Sequence, residues 1–457
     1  MNIRTSTSAT GNRKIDLFWN YLFIAICIAA AVVSYKMFSP GFMSSDTVDQ
    51  YTQARTCQYS DWHPVAMTAL WSLFMKVHYG PQTMLFMQLG MFWLACYLFA
   101  GFLGRFFGLV FLLIAIVSPF VQNFPGYIIK DVQMSFSWLL ASVIIIDNLV
   151  NKKTAGALQK IVTLGLILYG ALIRVDALPG YIPLFVLWCL QFSFFKRRTL
   201  LCAMTGILLL FAVQYGIRML VKPTKGYAER KLYMHDLAGI YKETGEDVFP
   251  VELYTVMPGF DTAYIAARYH AATYDHIWWN GDNKATQPPA SPEFMPALKS
   301  AWIKAITKHP GVYLQNRWDG FLYYLKIKDR NGFLAIYHPW VDKNDYNIEL
   351  KKDNWHVYYR DWIEGYRHTL WMQPWFWMLM NILLLPFVFL VGSHHRFVYA
   401  SMLLSSLLYR LPQFFIFQTD TDYRYFYWTC LCCFFSAFLL IKGIIIDRYK
   451  KPMHARR

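Results

Sequence analysis

The residues best suited to proton transfer near the N-terminus are two carboxylates, Asp46 and Asp49, in the stretch Ser44–Gln50. Carboxylates are costly beside apolar membrane segments and usually have a function there. If residues 45–54 form a helix, this spacing places both side chains along one face. Two carboxylates that share a site raise the pKa of one of them, which would suit a general base. The alternative is structural, because Ser45 or Asp46 could cap the helix.

A histidine follows in the same loop, in the stretch Asp61–Pro64. His63 could bind a substrate or transfer a proton, because imidazole titrates near neutral pH. It could equally be structural, since a lone histidine beside Trp62 often only packs. The stretch also predicts the start of a second helix over Val65–Val77, with its aspartate as the cap and its proline in the first turn.

Charged residues also stand at the ends of three apolar segments, as Lys130-Asp131, Arg174 with Asp176, and Arg424 before Tyr425. Each cation could be one half of a neutralised structural pair, because an unpaired charge is costly at a membrane. Alternatively, the cations could bind an anionic headgroup, and Arg424 is well placed to hold a phosphate with two parallel hydrogen bonds. The candidate substrate-binding residues are therefore His63, Lys130, Asp131, Arg174, Arg424 and Tyr425.

The composition is that of a chain that folds in a membrane. Only 16% of its 457 residues are charged and 56% are hydrophobic, whereas soluble domains average about 25% charged residues. The sequence predicts an all-α polytopic protein with about ten transmembrane helices, since the longer apolar runs reach the roughly 18 to 20 residues that cross a bilayer. The predicted spans are Leu17–Phe38, Met84–Leu103, Phe106–Val121, Met134–Leu149, Ile161–Arg174, Tyr181–Phe195, Leu200–Leu220, Leu370–Val391, Phe397–Leu411 and Tyr425–Ile446.

Clusters of lysine and arginine predict the orientation of these spans. They fall on one side of the membrane if both termini are cytoplasmic, as the excess of positive charge in cytoplasmic loops requires. The net charge of +16 is then an orientation signal rather than a nucleic-acid-binding surface. The expected parts are an N-terminal transmembrane module (1–220) with an external loop (39–82), an external insert (221–369), and C-terminal helices with a basic tail (370–457).

The insert is expected to be mixed but mainly helical. Within it, Pro292–Lys308 predicts an amphipathic helix that stops at Pro310-Gly311. Other classes of chemistry have no support in the sequence, which contains no P-loop, HExxH or GxSxG motif. Seven of the eight cysteines lie in apolar runs, so the sequence predicts neither a disulfide framework nor a metal site.

Taken together, these motifs resemble the GT-C superfamily of integral-membrane glycosyltransferases. The resemblance rests on Ser45–Gln50 with His63-Pro64 downstream, on Lys130-Asp131, on Arg174–Asp176 and on Arg424-Tyr425. Within that superfamily, the chain looks most like the bacterial and phage serotype-converting O-antigen glucosyltransferases. The late insert, with Ala301-Trp302, His309–Leu314 and Arg317, also looks like the soluble part of such enzymes.

The resemblance implies an enzyme that moves a sugar, glucose in the nearest branch, from a polyprenyl-phosphate donor to a lipopolysaccharide O-antigen or similar surface glycan. Asp46 would be the catalytic base, with Asp49 as the alternative, since many members carry two adjacent acids where this chain has Asp46-Thr47. Lys130, Arg174 and Arg424 would stabilise the departing lipid phosphate. No cofactor is expected, and Trp278-Trp279 is the first candidate for stacking against the acceptor sugar.

The resemblance also implies a bacterial inner membrane, a periplasmic active site, and a donor synthase and a flippase that act upstream. Two other classes fit the hydropathy. An O-antigen polymerase or ligase also combines many spans with a late external loop, but it would not need acids in its first loop. A transporter or flippase of lipid-linked sugars predicts charges at mid-membrane depth and broken helices in matching halves.

Overall fold

A computed structural model describes residues 7–195, 198–278, 287–328, 336–350, 354–416 and 421–454. Over those ranges the chain is helical, and its only extended pairings are isolated bridges, such as the one between Phe42 and Tyr127. The first ten helices are α1 (Thr7–Phe38), α2 (Ser45–Thr56), α3 (Val65–Met75), α4 (Gln82–Leu103), α5 (Arg105–Val117), α6 (Pro119–Gln122), α7 (Lys130–Val150), α8 (Ala157–Leu172), α9 (Leu178–Cys189) and α10 (Thr199–Val221). The others are α11 (Glu229–Thr244), α12 (Val251–Val256), α13 (Thr262–Arg268), α14 (Asp275–Trp278), α15 (Met295–Lys308), α16 (Pro310–Tyr324), α17 (Asn354–Glu364), α18 (Pro374–Leu384), α19 (Arg396–Arg410), α20 (Gln413–Ile416) and α21 (Tyr427–His454).

Five of the described helices are long and apolar enough to cross a membrane. They contain Ile15–Phe38, Gln82–Leu103, Lys130–Val150, Thr199–Val221 and Tyr423–Ile445. The chain therefore has the transmembrane helical character that its composition predicts. The other five predicted spans fall on shorter helical segments of 10–17 residues, so the ten-span topology stays a prediction.

The long helices alternate in direction, so their connections gather at two ends of the bundle. At one end lie α2 and α3, the start of α7, the turn between α8 and α9, the end of α19 and the start of α21. The insert joins the bundle at the same end, between α10 and α18. Every charged residue singled out above as a candidate lies here, and we call it the site end.

A close contact between α9 and α19 sets the position of the last residue of α19 at the site end. The Ser405 hydroxyl donates a hydrogen bond of 2.7 Å to the Gly180 carbonyl oxygen. A Cβ atom on Gly180 would lie only 2.7 Å from the Cβ atom of Tyr409. Small residues at such contacts let transmembrane helices approach closely, and glycine is required at this one.

Replacing Gly180 with alanine should therefore destabilise the protein, because the added methyl group must push α9 away from α19. We expect a loss of about 1–3 kcal/mol in the free energy of unfolding, as for other overpacked cores. Thermal unfolding in detergent measures it. Gly165→Ala on α8 is the matched control, since nothing lies within 4 Å of its new methyl group. Equal melting temperatures for the two variants would contradict the prediction.

The described part of the insert is mainly helical, and its first part has a core of its own. The helices α11, α15 and α16 surround a buried ion pair in which Arg317 Nη2 lies 2.6 Å from Asp236 Oδ2. Residues 336–350 and α17 pack instead against the transmembrane core, where the Tyr359 hydroxyl donates to the Gln122 carbonyl oxygen at 2.8 Å. The predicted amphipathic helix ends at Lys308, but Pro310 begins α16 rather than a loop, because proline suits a first helical turn.

Candidate active site

The backbone around Asp46 is held from two sides. The Ser45 N–H donates to Asp342 Oδ2 at 2.7 Å, and the Thr47 hydroxyl donates to the Ile128 carbonyl oxygen at 2.7 Å. The first turn of α2 has no hydrogen bond from a capping side chain. The hypothesis that Ser45 or Asp46 caps this helix is therefore wrong, and the carboxylate of Asp46 is left for other contacts.

Asp46 lies beside a histidine and a lysine that come from two other segments. Its Oδ1 atom is 3.6 Å from His63 Nε2, and its Oδ2 atom is 3.8 Å from Lys130 Nζ. Lys130 Nζ is also 2.7 Å from His63 Nδ1. An ammonium group can only donate, so Nδ1 accepts this hydrogen bond, and the proton of the neutral ring sits on Nε2. The imidazole N–H therefore faces the carboxylate.

The surrounding charges keep Asp46 ionised at neutral pH. Burial acts to raise the pKa of Asp46, but His63, Lys130 and Arg424 together outweigh it and hold that pKa well below its usual range. Burial, and then the charge of Lys130, lowers the pKa of His63. The ring is thus neutral near pH 7, where Lys130 and Arg424 are the charged groups that lower the pKa of Asp46 and the N–H of His63 adds to their effect. Its side chain still exposes 36% of its surface, so a ligand can touch it.

Asp49 lies one turn further along α2 and outside the cavity described below. Its side chain is exposed, and Oδ2 accepts a hydrogen bond of 2.7 Å from Gln53 Nε2. The groups that set the pKa of Asp46 are His63, Lys130 and Arg424, so the expected sharing of one site by two first-loop carboxylates does not occur. Asp46 is the carboxylate of α2 that faces the site.

Arg174 joins two buried carboxylates at the site end. Its guanidinium binds Asp176 through two parallel hydrogen bonds of 2.8 Å, and its Nη1 atom is 2.9 Å from Asp131 Oδ1. Arg424 Nε lies 3.9 Å from the other oxygen of Asp131. The Asp131 side chain is 2% exposed, and neither oxygen receives an aligned hydrogen bond. Asp131 therefore acts as a counter-ion behind the wall of the site.

Arg424 and Tyr425 lie where the sequence predicts them, at the mouth of the last long helix. Arg424 Nη1 donates to the Tyr127 hydroxyl at 2.7 Å, and Nη2 is 3.0 Å from Asp422 Oδ2. The Tyr425 ring centre is 5.2 Å from the guanidinium carbon of Arg174 and 5.2 Å from that of Arg424. Such distances allow cation–π attraction, so the tyrosine holds the two arginines side by side.

The sequence reasoning missed a third arginine. Arg410, the last residue of α19, is 1% exposed. One guanidinium nitrogen donates to the Tyr324 hydroxyl, whereas Nε and Nη2 have no hydrogen-bond partner in the described part of the chain. Buried N–H groups normally have partners, so these two are available to an anionic or carbonyl group. The sequence feature that could have indicated Arg410 is its position as a lone cation at the end of an otherwise apolar predicted span.

These residues surround a cavity of about 760 Å³ at the site end. Small-molecule sites typically measure about 300–1,000 Å³. Charged side chains of both signs line it in equal numbers, as the cations Lys130, Arg174, Lys225, Lys231, Arg410 and Arg424 and the carboxylates Asp46, Asp61, Asp176, Glu229, Asp275 and Asp422. Trp62, Tyr227, Tyr324 and Tyr425 add aromatic surface. A polar ligand with a localised negative charge matches such walls better than a bulk polyanion does.

The insert closes over the first loop through Asp61. This carboxylate accepts a hydrogen bond of 2.6 Å from the Gly226 N–H and pairs with Arg218 on α10. It does not cap α3, so that prediction is wrong. A Cβ atom on Gly226 would lie 2.9 Å from the backbone nitrogen of Trp62, which explains the glycine. Of the predicted stacking residues, Trp279 and the side chain of Trp278 lie outside the described residues.

Replacing Lys130 with methionine should shift the pH dependence of any reaction that needs the Asp46 carboxylate. The cation lowers the pKa of Asp46, so its removal raises that pKa. The acid limb of the kcat/KM profile should then move to higher pH. Lys225→Met is the control, because Lys225 also lines the cavity but lies against the Tyr227 ring. An unchanged acid limb in Lys130→Met would contradict this assignment.

No family model matches this chain, and neither the curated proteins nor the solved structures contain a match. Within the described ranges, no group of three or more His, Cys, Asp or Glu side chains is arranged to hold a metal ion. The geometry of the cavity is therefore what indicates its chemistry.

Proposed function

We propose that this protein is a membrane glycosyltransferase that moves a sugar from a polyprenyl-phosphate donor to a hydroxyl group of a surface glycan. The observation that carries the proposal is the cavity, which brings the carboxylate of Asp46 together with a cluster of arginines. A base and an anion-binding group that line the same cavity are what sugar transfer from a lipid phosphate needs. The proposed location is a bacterial inner membrane, with the cavity on the periplasmic side and both termini in the cytoplasm.

In the proposed reaction, the oxygen of the acceptor hydroxyl attacks the anomeric carbon of the donor. The bond between that carbon and the phosphate oxygen breaks, and the lipid phosphate leaves with the bonding electron pair. Asp46 accepts the hydroxyl proton. Its low pKa means that the carboxylate is already ionised at neutral pH, so no prior deprotonation is needed. His63 directs an N–H toward the carboxylate and fixes its orientation.

Negative charge develops on the leaving phosphate, and fixed cations stabilise it. Arg174 and Arg424 are held in place by Asp131 and Tyr425 before any ligand binds. Cations whose positions are fixed in advance need not reorganise as the reaction proceeds. Lys130 lies close enough to Asp46 to contribute from the same side. Glucose as the transferred sugar, and an O-antigen as the acceptor, follow from the family resemblance alone.

The test is to express the chain in a bacterium that makes and flips lipid-linked glucose but lacks this protein. Surface polysaccharide from cells with and without the chain is hydrolysed and its sugars are quantified. One additional side-branch hexose per repeat unit is the expected result. An unchanged sugar composition with altered polysaccharide length would favour a polymerase and contradict the proposal. A matched strain without the donor synthase should show no added hexose.

A further inference from the structure

The helix α17 of the insert exposes two large aromatic side chains next to each other. Trp355 and Tyr358 are 70% and 68% exposed, and their ring centres are 6.5 Å apart. Because successive residues of a helix are turned by about 100°, these two share one side of α17 with the partly buried Trp362, and Arg360 and Glu364 lie on the opposite side. Contiguous exposed apolar surface of this kind marks an interaction site.

A third side of α17 fixes the helix to the end of a candidate membrane span. The ring of Tyr359 is 5.2 Å from that of Phe38, the last residue of the span Ile15–Phe38. Ile363, one turn further along α17, is fully buried. Only 17% of the apolar stretch of that span is buried in the protein, so most of it is available to lipid. The end of the span therefore marks the level of the bilayer surface.

The height of α17 matches the headgroup layer of a bilayer. The candidate span ends at Phe38, so the hydrocarbon core ends near this residue, and the headgroup layer beyond it is about 5–8 Å thick. The buried ring of Tyr359, at 5.2 Å from Phe38, lies within that thickness. Tryptophan and tyrosine are enriched in this layer, because an apolar ring and a polar N–H or O–H group suit a boundary between hydrocarbon and water.

A further exposed aromatic side chain lies in the connection from α17 to α18. Trp371 is 46% exposed and stacks on Phe120 of α6, with ring centres 6.2 Å apart. The carbonyl oxygen of Gln122, in the same short helix, accepts the hydrogen bond from the Tyr359 hydroxyl. The exposed aromatic surface therefore continues around α6, beyond α17 itself.

We propose that α17 lies in the headgroup layer of the bilayer at the site end, with Trp355 and Tyr358 turned toward the hydrocarbon and Arg360 toward water. The partner of the aromatic surface is then lipid, and neither a second copy of the chain nor a glycan. This inference concerns the placement of the insert and does not rest on the proposed function.

Contact of α17 with the bilayer would also steady one wall of the site. The Asn123 carbonyl oxygen accepts a hydrogen bond of 3.0 Å from the Tyr359 hydroxyl, and the Asn123 side chain donates one of 2.8 Å to the Ile336 carbonyl oxygen. Six residues after Ile336, Asp342 binds the Ser45 N–H in the first loop. A short series of hydrogen bonds thus connects the membrane-bound helix to the segment that carries the candidate base.

The test measures the depth of nitroxide labels in purified full-length protein in phospholipid nanodiscs. Cys57→Ser removes the exposed cysteine, and the other seven are buried. Labels are then attached singly to Trp355→Cys, Tyr358→Cys and the matched control Arg360→Cys, whose native side chain is 52% exposed. Power saturation with oxygen, which enters the bilayer, and with a water-soluble nickel chelate gives the depth of each label. We expect the first two labels at about 15–22 Å from the bilayer centre and the control about 10 Å farther out, the width of a helix.

Equal access of the nickel chelate to all three labels would place the aromatic side in water, as expected of a glycan-binding surface, and would overturn the inference. Labels at the two aromatic positions that are shielded from both reagents would indicate a protein partner and would overturn it as well. Two independent positions on one helix guard against a local distortion by either label. The depth measurement needs no sugar transfer, so its outcome and that of the test of function are distinguishable.

Discussion

Replacing Asp46 with asparagine should reduce sugar transfer by about 10²–10⁴-fold, the range that a positioned general base supplies. Asparagine keeps the size and shape of the side chain but cannot accept the proton of the acceptor hydroxyl. The surrounding contacts that hold the segment, from Ser45 and Thr47, involve other atoms, so the variant should fold. Measured on purified protein with a lipid-linked donor, kcat should fall while KM changes little.

Asp49→Asn is the matched control for this result. Asp49 is exposed and lies outside the cavity. Among its described contacts, its one hydrogen bond comes from Gln53, one turn further along the same helix. Its replacement should change transition-state stabilisation by less than about 1 kcal/mol, or roughly fivefold in rate. Retained transfer in Asp46→Asn, together with loss in Asp49→Asn, would move the base to Asp49. Retained sugar transfer in both variants would show that neither carboxylate of the first loop is the base.

Replacing Arg174 with glutamine should produce the largest loss of stability among single substitutions at the site. Arg174 pairs with both Asp131 and Asp176; the two carboxylates are buried, and the arginine side chain is only 11% exposed. Its removal leaves two carboxylates with too little compensating charge. Breaking a buried ion pair typically costs about 3–5 kcal/mol, so the midpoint of thermal unfolding should fall sharply. The amount of folded protein that accumulates in the membrane should also fall.

Two further variants separate this effect from a general loss of charge. Arg105→Gln breaks a pair with Asp16 at 2.7 Å in which both side chains are exposed, and it should cost less than about 1 kcal/mol. The double variant Arg174→Gln, Asp176→Asn removes one of the two uncompensated carboxylates and should recover part of the lost stability. No difference in melting temperature between Arg174→Gln and Arg105→Gln would show that the buried network contributes little.

Much of the helical arrangement follows from apolar runs that the sequence displays directly. The predicted span Met134–Leu149 falls inside α7, for example, because eleven of the sixteen residues of that run are apolar. The length of an apolar run predicts less well whether the whole run forms one continuous α-helix. Leu370–Val391 reads as one span, but it contains a 3₁₀ segment after α18 that begins near Pro386, since proline disrupts the α-helical hydrogen-bond pattern.

The candidate site was predictable in its residue types but not in its pairings. A cation next to a carboxylate in sequence suggests a local pair, and Arg174 does bind Asp176 in this way. Lys130 does not pair with the adjacent Asp131; it lies against His63 and Asp46, which come from the first loop. Adjacent residues at a helix start point in different directions, so their partners depend on which other helices meet there.

Arg410 was missed for a related reason. One cation at the end of an apolar span usually marks the membrane surface. Arg410 is held in the site by contacts with Tyr324, which lies 86 residues earlier in the chain, and with Asp176. Both residues approach it only in the folded protein. No local pattern records such contacts.

The hydrogen bond from Ser45 to Asp342 joins residues 297 positions apart, and that separation affects the order of assembly. Synthesis proceeds at about 5–20 residues per second, so the segment around Ser45 emerges roughly 15–60 seconds before its partner. Arg424 reaches Tyr127 across the same separation, 297 positions. The N-terminal helices, with Asp46 and Arg174, can insert early, but Arg410 and Arg424 join them only when the chain is nearly finished. A truncated or stalled product would thus be an inserted membrane protein without a complete site.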